Sequence, residues 1–317
     1  MKLIVQIPCY NEEHTLPLTY ADIPKEIDGI DEIEVLIIDD GSDDKTIETA
    51  RKLGVDHIVI NKQNIGLAKT FRRGIDECLK LGADIIVNTD GDNQYAGWDI
   101  PKLVKPVLAE EADIVIGDRE THNIPHFSKS KKFKQWFGSG VVRKLAGIWV
   151  PDTVSGFRAI SRESAIRLNV LSSFSYTIEM VIQAGKRNMK IVSVPVETNE
   201  KTRESRLFKS IPVFIARQVT TIIRMYAMYQ PLKVFFTIGS VLVVIGAIPI
   251  IRFLYVYFTS GASGHLQSLI LGSVLVLLGV FAYLIGLVAD LISFNRQLSE
   301  MALEKIKKNE LDKGNAK

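Results

Sequence analysis

Ala83-Asp84-Ile85-Ile86-Val87-Asn88 runs, after Thr89, into Asp90-Gly91-Asp92. Ile85-Ile86-Val87 is short, apolar and β-branched, which is the composition of a buried strand. The strand stops at two carboxylates one residue apart. Such a pair can hold a hard divalent cation and, through it, a diphosphate. Two aspartates at this spacing recur by chance. At the end of a hydrophobic strand, and downstream of a second acidic turn, they carry more weight.

That second turn is Asp39-Asp40-Gly41-Ser42, which stops the apolar run Ile33-Glu34-Val35-Leu36-Ile37-Ile38. Lys2 to Ile7 is a further strand, ending at Pro8. Residues 13–28 are mixed and expected to be helical. Asp43 to Leu53 is expected as a helix with Ser42 or Asp43 as its N-cap. His57 to Asn61 follows as a short strand, and Gly66 to Leu81 as a helix with Gly82 just past its end. Ile100 to Glu110 is the next helix and Ile114-Val115-Ile116 the next strand. Val141 to Ile148, Ser161 to Leu168 and Tyr176 to Arg187 are expected helices, and Ile191 to Glu197 the last strand. This alternation predicts an α/β fold, a Rossmann-like, mostly parallel sheet with flanking helices. Sheets of this kind bind ligands at their strand carboxyl ends, where both acidic clusters fall. An enzyme handling a sugar nucleotide is the implied class.

Composition narrows the partners. Lys and Arg number 39 against 36 Asp and Glu, a net charge of +3, so no nucleic acid is expected as a ligand. Cys9 and Cys78 are the only cysteines; they make no disulfide framework and fit a reducing compartment. The first strand begins almost at once, so no cleaved signal peptide is expected. Glu120 to Gln135 is polar and basic, with Lys129, Lys131, Lys132 and Lys134. A mobile loop covering the site and a solvated surface loop are equally good readings of it. His122 and His126 within it are better read as solvated than as a metal pair.

The second half changes character. Phe208, Ile211, Phe214, Ile215, Val219, Ile222, Ile223 and Tyr226 interleave with Lys209, Arg217 and Arg224, an amphipathic basic stretch suited to a membrane surface. Phe235 to Ile251 carries no charge, apolar character continues past Arg252 to Phe258, and Ser268 to Ala289 is a second uncharged run. Each is long enough for a hydrocarbon core of roughly 30 Å. The connecting residues 259–265 hold no Lys or Arg. Arg217, Arg224 and Lys233 precede the first run, and Arg296, Lys305, Lys307 and Lys308 follow the second. The positive-inside rule then places both termini and the catalytic domain in the cytoplasm. The expected organisation is a catalytic domain over 1–206, an interfacial region over 207–230, two spans within 231–295 and a charged, helical, fraying tail over 296–317.

A diphosphate leaving group gains negative charge as the glycosidic bond breaks. Asp90 and Asp92, with an amide oxygen from Gln94, suit Mg²⁺ or Mn²⁺. Guanidinium groups match phosphate geometry, and Arg119, Arg158, Arg203 and Arg206 are candidates to complete the neutralisation. Arg119 directly follows a strand, on the same sheet edge as the acidic pair.

Pro8-Cys9-Tyr10-Asn11-Glu12, Asp39-Asp40-Gly41-Ser42, Asn64-Ile65-Gly66, Asp90-Gly91-Asp92-Asn93-Gln94 and Ser155-Gly156-Phe157-Arg158 occur in the order seen in family 2 glycosyltransferases of the GT-A fold. Within that family the chain resembles the polyprenyl-phosphate glycosyltransferases of the dolichyl-phosphate mannose synthase type, over about residues 1–210. The two-span hairpin is similar to that of bacterial and archaeal members. The resemblance implies that Pro8, Tyr10, Glu12 and Asp40 surround the base and ribose, with Asp90 close to the nucleotide. It implies that Asp90, Asp92 and Gln94 hold the metal and that Asp92, Arg119 and Arg158 serve catalysis. Arg119 and Lys131 or Lys132 would bind phosphate, and Arg203, Ser205 and Arg206 would face the lipid phosphate. Here the chain departs from the family's usual Gly-x-Ser-Lys, with Arg203-Glu204-Ser205-Arg206.

The implied reaction is inverting transfer from a UDP- or GDP-sugar to dolichyl or undecaprenyl phosphate. An ionised lipid phosphate attacks without a general base, leaving positioning and leaving-group electrostatics to the enzyme. Glu179 is a candidate base for the alternative of a hydroxyl or glycan acceptor. A non-catalytic membrane-anchored scaffold is the rival of another class. Processive polysaccharide synthesis is disfavoured, because the chain lacks Gln-x-x-Arg-Trp and further spans. A homo-oligomer is possible by analogy with two-span relatives.

Overall fold

Lys2–Cys9 forms β1, buried from Leu3 onward because both faces of this central strand are covered. The computed structural model describes residues 1–119, 140, 146–171, 176–199, 211–260 and 266–315. The other strands are β2 (Glu32–Asp39), β3 (His57–Ile60), β4 (Ile85–Asn88), β5 (Ile114–Asp118), β6 (Arg158–Ser161) and β7 (Ile191–Pro195). They make one seven-stranded sheet in the order β3-β2-β1-β4-β6-β5-β7. β6 runs antiparallel between β4 and β5; every other pairing is parallel.

Register assembles the site. Cys9 of β1 lies opposite Asp39 of β2, and Gln6 opposite Asn88 of β4. The segments leaving these strands, Tyr10–Glu12, Asp40–Ser42 and Thr89–Asp92, therefore emerge side by side. The helices cover the two faces. α1 is Leu16–Ala21, α2 Thr46–Lys52, α3 Leu67–Lys80, α4 Ile100–Leu108, α5 Arg162–Arg167 and α6 Tyr176–Lys186. Leu3, Val5, Ile7, Ile37, Ile85 and Val87 pack with Ile100, Leu103 and Val104 of α4. The opposite face meets α3, where a Cβ on Gly74 would fall 2.8 Å from Ile38 Cδ1.

Two local expectations are corrected. α1 covers only Leu16–Ala21 of the expected helical region, since the chain then turns through Gly29 at φ +84°. α2 starts at Thr46, not near Asp43: Ser42, one of the two expected caps, is engaged elsewhere, its Oγ accepting the Asn11 N–H. β6 is a strand that the sequence reading did not contain; it forms by pairing with β4 on one side and β5 on the other.

Residues 1–222 with 304–317 form one compact unit and residues 223–303 a second. α7 (Ile211–Tyr229), α8 (Pro231–Ser260) and α9 (Leu266–Asn315) complete the chain. The apolar stretches of α8 and α9 are mostly exposed, unlike core helices of a soluble domain. Both helices are long and apolar enough to cross a membrane. They approach closely at glycines, as membrane helices do: a Cβ on Gly246 would lie 2.8 Å from Gly272 O, and one on Gly279 would lie 2.9 Å from Gly239 O. α9 stays helical through the charged tail to Asn315, supported by Arg296–Glu300 (2.6 Å) and Lys308–Glu304 (3.5 Å) pairs one turn apart.

Candidate active site

The loops after β1 and β2 are tied to each other. Asn11, at φ +58°, donates its N–H to Ser42 Oγ (2.9 Å) and accepts the Asp43 N–H (2.8 Å). The Glu12 N–H reaches Thr46 Oγ1 (2.8 Å), and the Glu13 N–H reaches Asp44 Oδ2 (3.1 Å). This lacing leaves Tyr10 on the rim and buries Glu12, whose Oε2 accepts the Thr15 hydroxyl at 2.7 Å. Asp40 is buried behind the wall. Its Oδ1 accepts Asn61 Nδ2 and the Ile65 N–H, both at 2.9 Å, and its Oδ2 accepts the Gly66 N–H at 3.0 Å. Asp40 thus shapes the Asn64-Ile65-Gly66 loop rather than standing open at the rim.

β4 ends in Asn88, which accepts Gln6 Nε2 (2.9 Å) and donates to Gly156 O (2.8 Å) and Tyr176 Oη (3.1 Å). Asp90 and Asp92 follow, half-buried, across a turn with Asn93 at φ +54°. Asp92 Oδ1 accepts the Gln94 N–H at 3.2 Å, so Gln94 sits on the same turn. Burial pushes the Asp90 carboxyl well above the usual range; Asp92 and Glu12 push the same way, against Arg119 and Arg158. Crowded, desolvated carboxylates mark a place where a cation lowers the energy.

The residues present fit such a cation. Among the described residues no group of three or more His, Cys, Asp or Glu gathers. Two carboxylates on one turn are a donor set that would leave the other positions of a Mg²⁺-type ion to phosphate oxygens and water. Gly156 keeps the space open: a Cβ there would fall 3.1 Å from both Asp90 carboxylate oxygens and 2.9 Å from Tyr176 Oη.

Arg119 leaves β5 beside this pair. Its Nε donates to Asp152 Oδ2 (2.7 Å) and one Nη to Asp152 Oδ1 (3.1 Å). Its guanidinium lies 5.9 Å from the Tyr95 ring centre. Burial works against its charge, but Tyr95, Asp152 and Asp90 together hold its pKa above the ordinary value. Tyr95 Oη accepts the Gly156 N–H at 2.8 Å, and burial pushes this phenol up to about 12.

Arg158 is placed otherwise than expected. It is fully buried and donates to Ser155 O (2.8 Å), Thr177 O (2.9 Å) and Thr153 O (3.0 Å). The reason is β6, which sets Arg158 between Asn88 and Ile116 inside the sheet. It braces the turn before β6 and is not presented to a phosphate. Glu179 is likewise fully buried, its Oε1 accepting the Leu171 N–H (2.9 Å) and Gln183 Nε2 (3.1 Å); it is not displayed as a general base. Lys131, Lys132, Arg203, Ser205 and Arg206 lie outside the described residues. The strand leading toward Arg203 is anchored at the site, with the Asn199 N–H on Gln94 O at 3.0 Å. Sequence reasoning missed Asn88, Tyr95, Asp152 and Gly156 as organisers of the site. The Asp152–Gly156 stretch was the available signal.

A parallel sheet with one antiparallel insertion, acidic loops at its carboxyl edge and an arginine beside them define a GT-A-type glycosyltransferase. Residues 4–168 match the family described as "Glycosyl transferase family 2", and the chain belongs to that family and is a glycosyltransferase. It is 28% identical over 211 residues to an undecaprenyl-phosphate mannosyltransferase of Micrococcus luteus, covering 63% of this chain and 85% of that one. It is 30% identical over 207 residues to a dolichyl-phosphate hexose transferase of Haloferax volcanii, covering 65% and 86%. Among solved structures it resembles glucosyl-3-phosphoglycerate synthase of Mycobacterium tuberculosis in complex with Mn²⁺, UDP-glucose and phosphoglyceric acid. The TM-score is 0.55 at 20% identity, covering 71% of this chain and 78% of that one; this is a likeness of fold.

Proposed function

We propose that this glycosyltransferase moves a sugar from a UDP- or GDP-sugar to the phosphate of a membrane polyprenol, dolichyl or undecaprenyl, with inversion at the anomeric carbon. The observation that carries the reading is the crowded Asp90–Asp92 pair beside Arg119 at the carboxyl edge of the sheet, in a chain that continues into two long apolar helices. The lipid-phosphate acceptor is the class named for the relatives in Micrococcus luteus and Haloferax volcanii.

Tyr10 and Glu12, on the loop after β1, would meet the nucleoside. Asp90 and Asp92, with Gln94, would hold Mg²⁺ or Mn²⁺, which when bound supplies Lewis-acid stabilisation of the departing diphosphate. Arg119 receives charge on that leaving group. The acceptor phosphate needs no base: one of its ionised oxygens bonds to the anomeric carbon as the bond to the donor diphosphate breaks, and the electron pair leaves with the diphosphate. Lys131, Lys132, Arg203, Ser205 and Arg206 are assigned to phosphate and acceptor. α8 and α9 would form the membrane hairpin, with both termini and the catalytic unit on the cytoplasmic side.

The test is transfer from radiolabelled UDP- and GDP-sugars to polyprenyl phosphate by the full-length protein in detergent, with Mg²⁺ or Mn²⁺ and with chelator. Metal-dependent labelled lipid of inverted configuration is expected. Product that retains the donor configuration refutes single displacement. Nucleotide binding without lipid product from any donor refutes the acceptor assignment.

A further inference from the structure

Asp152 has no place in the reaction as proposed, yet it touches both walls of the site. It is buried, with its side chain 2% exposed and that of Arg119 only 15% exposed. Its two oxygens divide their work. Oδ2 accepts from Arg119 Nε at 2.7 Å. Oδ1 accepts from an Arg119 Nη at 3.1 Å and from the Val154 and Ser155 N–H groups, both at 3.2 Å. The second set caps the turn that delivers Gly156, whose own N–H is held by Tyr95 at 2.8 Å and whose Cα faces the Asp90 carboxylate.

A guanidinium has five N–H groups in a fixed fork. Asp152 grips the Nε edge of Arg119, which leaves the opposite edge directed away from it. Among the described residues no other acceptor takes that remaining edge. A long side chain that would otherwise sample many rotamers is thereby held in one.

We propose that Asp152 is the positioning residue of the site. It aims Arg119 at the donor diphosphate and, through the turn it caps, holds Gly156 against Asp90, so that one carboxylate sets the spacing between the cationic and acidic walls. The inference rests on the reading above that Arg119 meets the diphosphate.

Asp152→Asn separates the two tasks. With its oxygen in the Oδ1 place it still caps the turn, and three donors there favour that orientation over its flip. Its NH₂ then faces Arg119 Nε–H, donor against donor, so the shorter of the two contacts that hold Arg119 is lost while the turn stays. The measurement is the affinity of full-length protein in detergent for UDP and GDP, and for uridine and guanosine, with Mn²⁺ present. It is made for wild type, Asp152→Asn, Arg119→Gln and the double variant.

Asp152→Asn should weaken the better-bound diphosphate roughly ten- to hundredfold, the worth of one hydrogen bond to a charged group, and leave its nucleoside unchanged. On the Arg119→Gln background it should change diphosphate affinity less than about twofold, because coupled residues are non-additive. Equal loss for nucleoside and diphosphate, or full additivity in the double variant, overturns the inference in favour of a merely structural aspartate. A loss with Arg119→Gln but none with Asp152→Asn overturns it while sparing the role of Arg119. No loss with Arg119→Gln refutes that role, and the inference with it.

Discussion

Replacing Gly156 by alanine would put a methyl carbon 2.9 Å from Tyr176 Oη and 3.1 Å from both carboxylate oxygens of Asp90. The tyrosine cannot move away cheaply. Tyr176 is buried, its ring stacks on Phe71 at 4.0 Å, and its hydroxyl accepts Asn88 Nδ2 at 3.1 Å. Gly156 is itself pinned, its N–H on Tyr95 Oη and its carbonyl on Asn88 Nδ2, both at 2.8 Å. Overpacking of this kind costs about 1–3 kcal/mol, equivalent to a fall of roughly 2–12 °C in Tm for a domain of this size. The carboxylate is the softer side, so part of the strain is relieved by turning Asp90. Transfer assayed against Mn²⁺ concentration should then require about tenfold more metal, which corresponds to 1.4 kcal/mol, while the nucleoside still binds as before. Wild-type stability together with an unchanged metal requirement would refute the reasoning, because it would show that Gly156 does not guard space beside Asp90.

Asp92→Asn should leave a folded protein whose transfer falls by at least about a hundredfold, since leaving-group stabilisation is worth several kcal/mol; a scintillation count of labelled lipid checks it. Arg158→Met removes the donor from three buried carbonyls, at about 1–3 kcal/mol each. It should lower Tm sharply or prevent folding; a phosphate-binding arginine would instead leave Tm intact and cut diphosphate affinity. Gly272→Leu would begin with a Cβ 2.6 Å from Gly246 O. It should destabilise the α8–α9 hairpin by about 1–3 kcal/mol, read as a lower unfolding midpoint of the full-length protein in detergent.

What was legible in the sequence was what buried strands write locally. β1, β2 and β4 are continuous apolar runs because both of their faces are covered, and the polar residues that stop them are the loops of the site. Parallel register does the rest: with Cys9 opposite Asp39 and Gln6 opposite Asn88, the segments that follow β1, β2 and β4 leave at one edge. β6 wrote no such signal. Arg158-Ala159-Ile160-Ser161 is only four residues long and begins with a charge; it becomes a strand by inserting between β4 and β5, a long-range event. Arg158 was misread for the same reason: its residue type suits a phosphate, and only the fold shows its guanidinium taken up by the Ser155, Thr177 and Thr153 carbonyls. The start of α2 was displaced by tertiary competition, because the loop after β1 captures Ser42, which would have capped it. Asp152 stayed hidden because Arg119, its partner, is 33 residues away.

These placements separate the polar residues of the site into two kinds. Asn88, Asp40, Asp152 and Arg158 make several hydrogen bonds each within the fold, and their burial is compensated there. Asp90 differs: the fold buries it, sets Asp92 and Glu12 nearby, and opposes them with an Arg119 already paired with Asp152 and an Arg158 already spent on backbone carbonyls. Among the described residues the local balance is therefore negative at the edge where a diphosphate would have to dock. Among the described residues, a dianionic ligand approaching alone meets two carboxylates and only the remaining edge of one guanidinium. Asp90 and Asp92 are thus suited to a diphosphate only together with a cation, and Arg119 to the part of that diphosphate facing away from the carboxylates. A donor whose leaving group is a nucleoside diphosphate satisfies both demands at once, and a plain phosphate monoester satisfies only one.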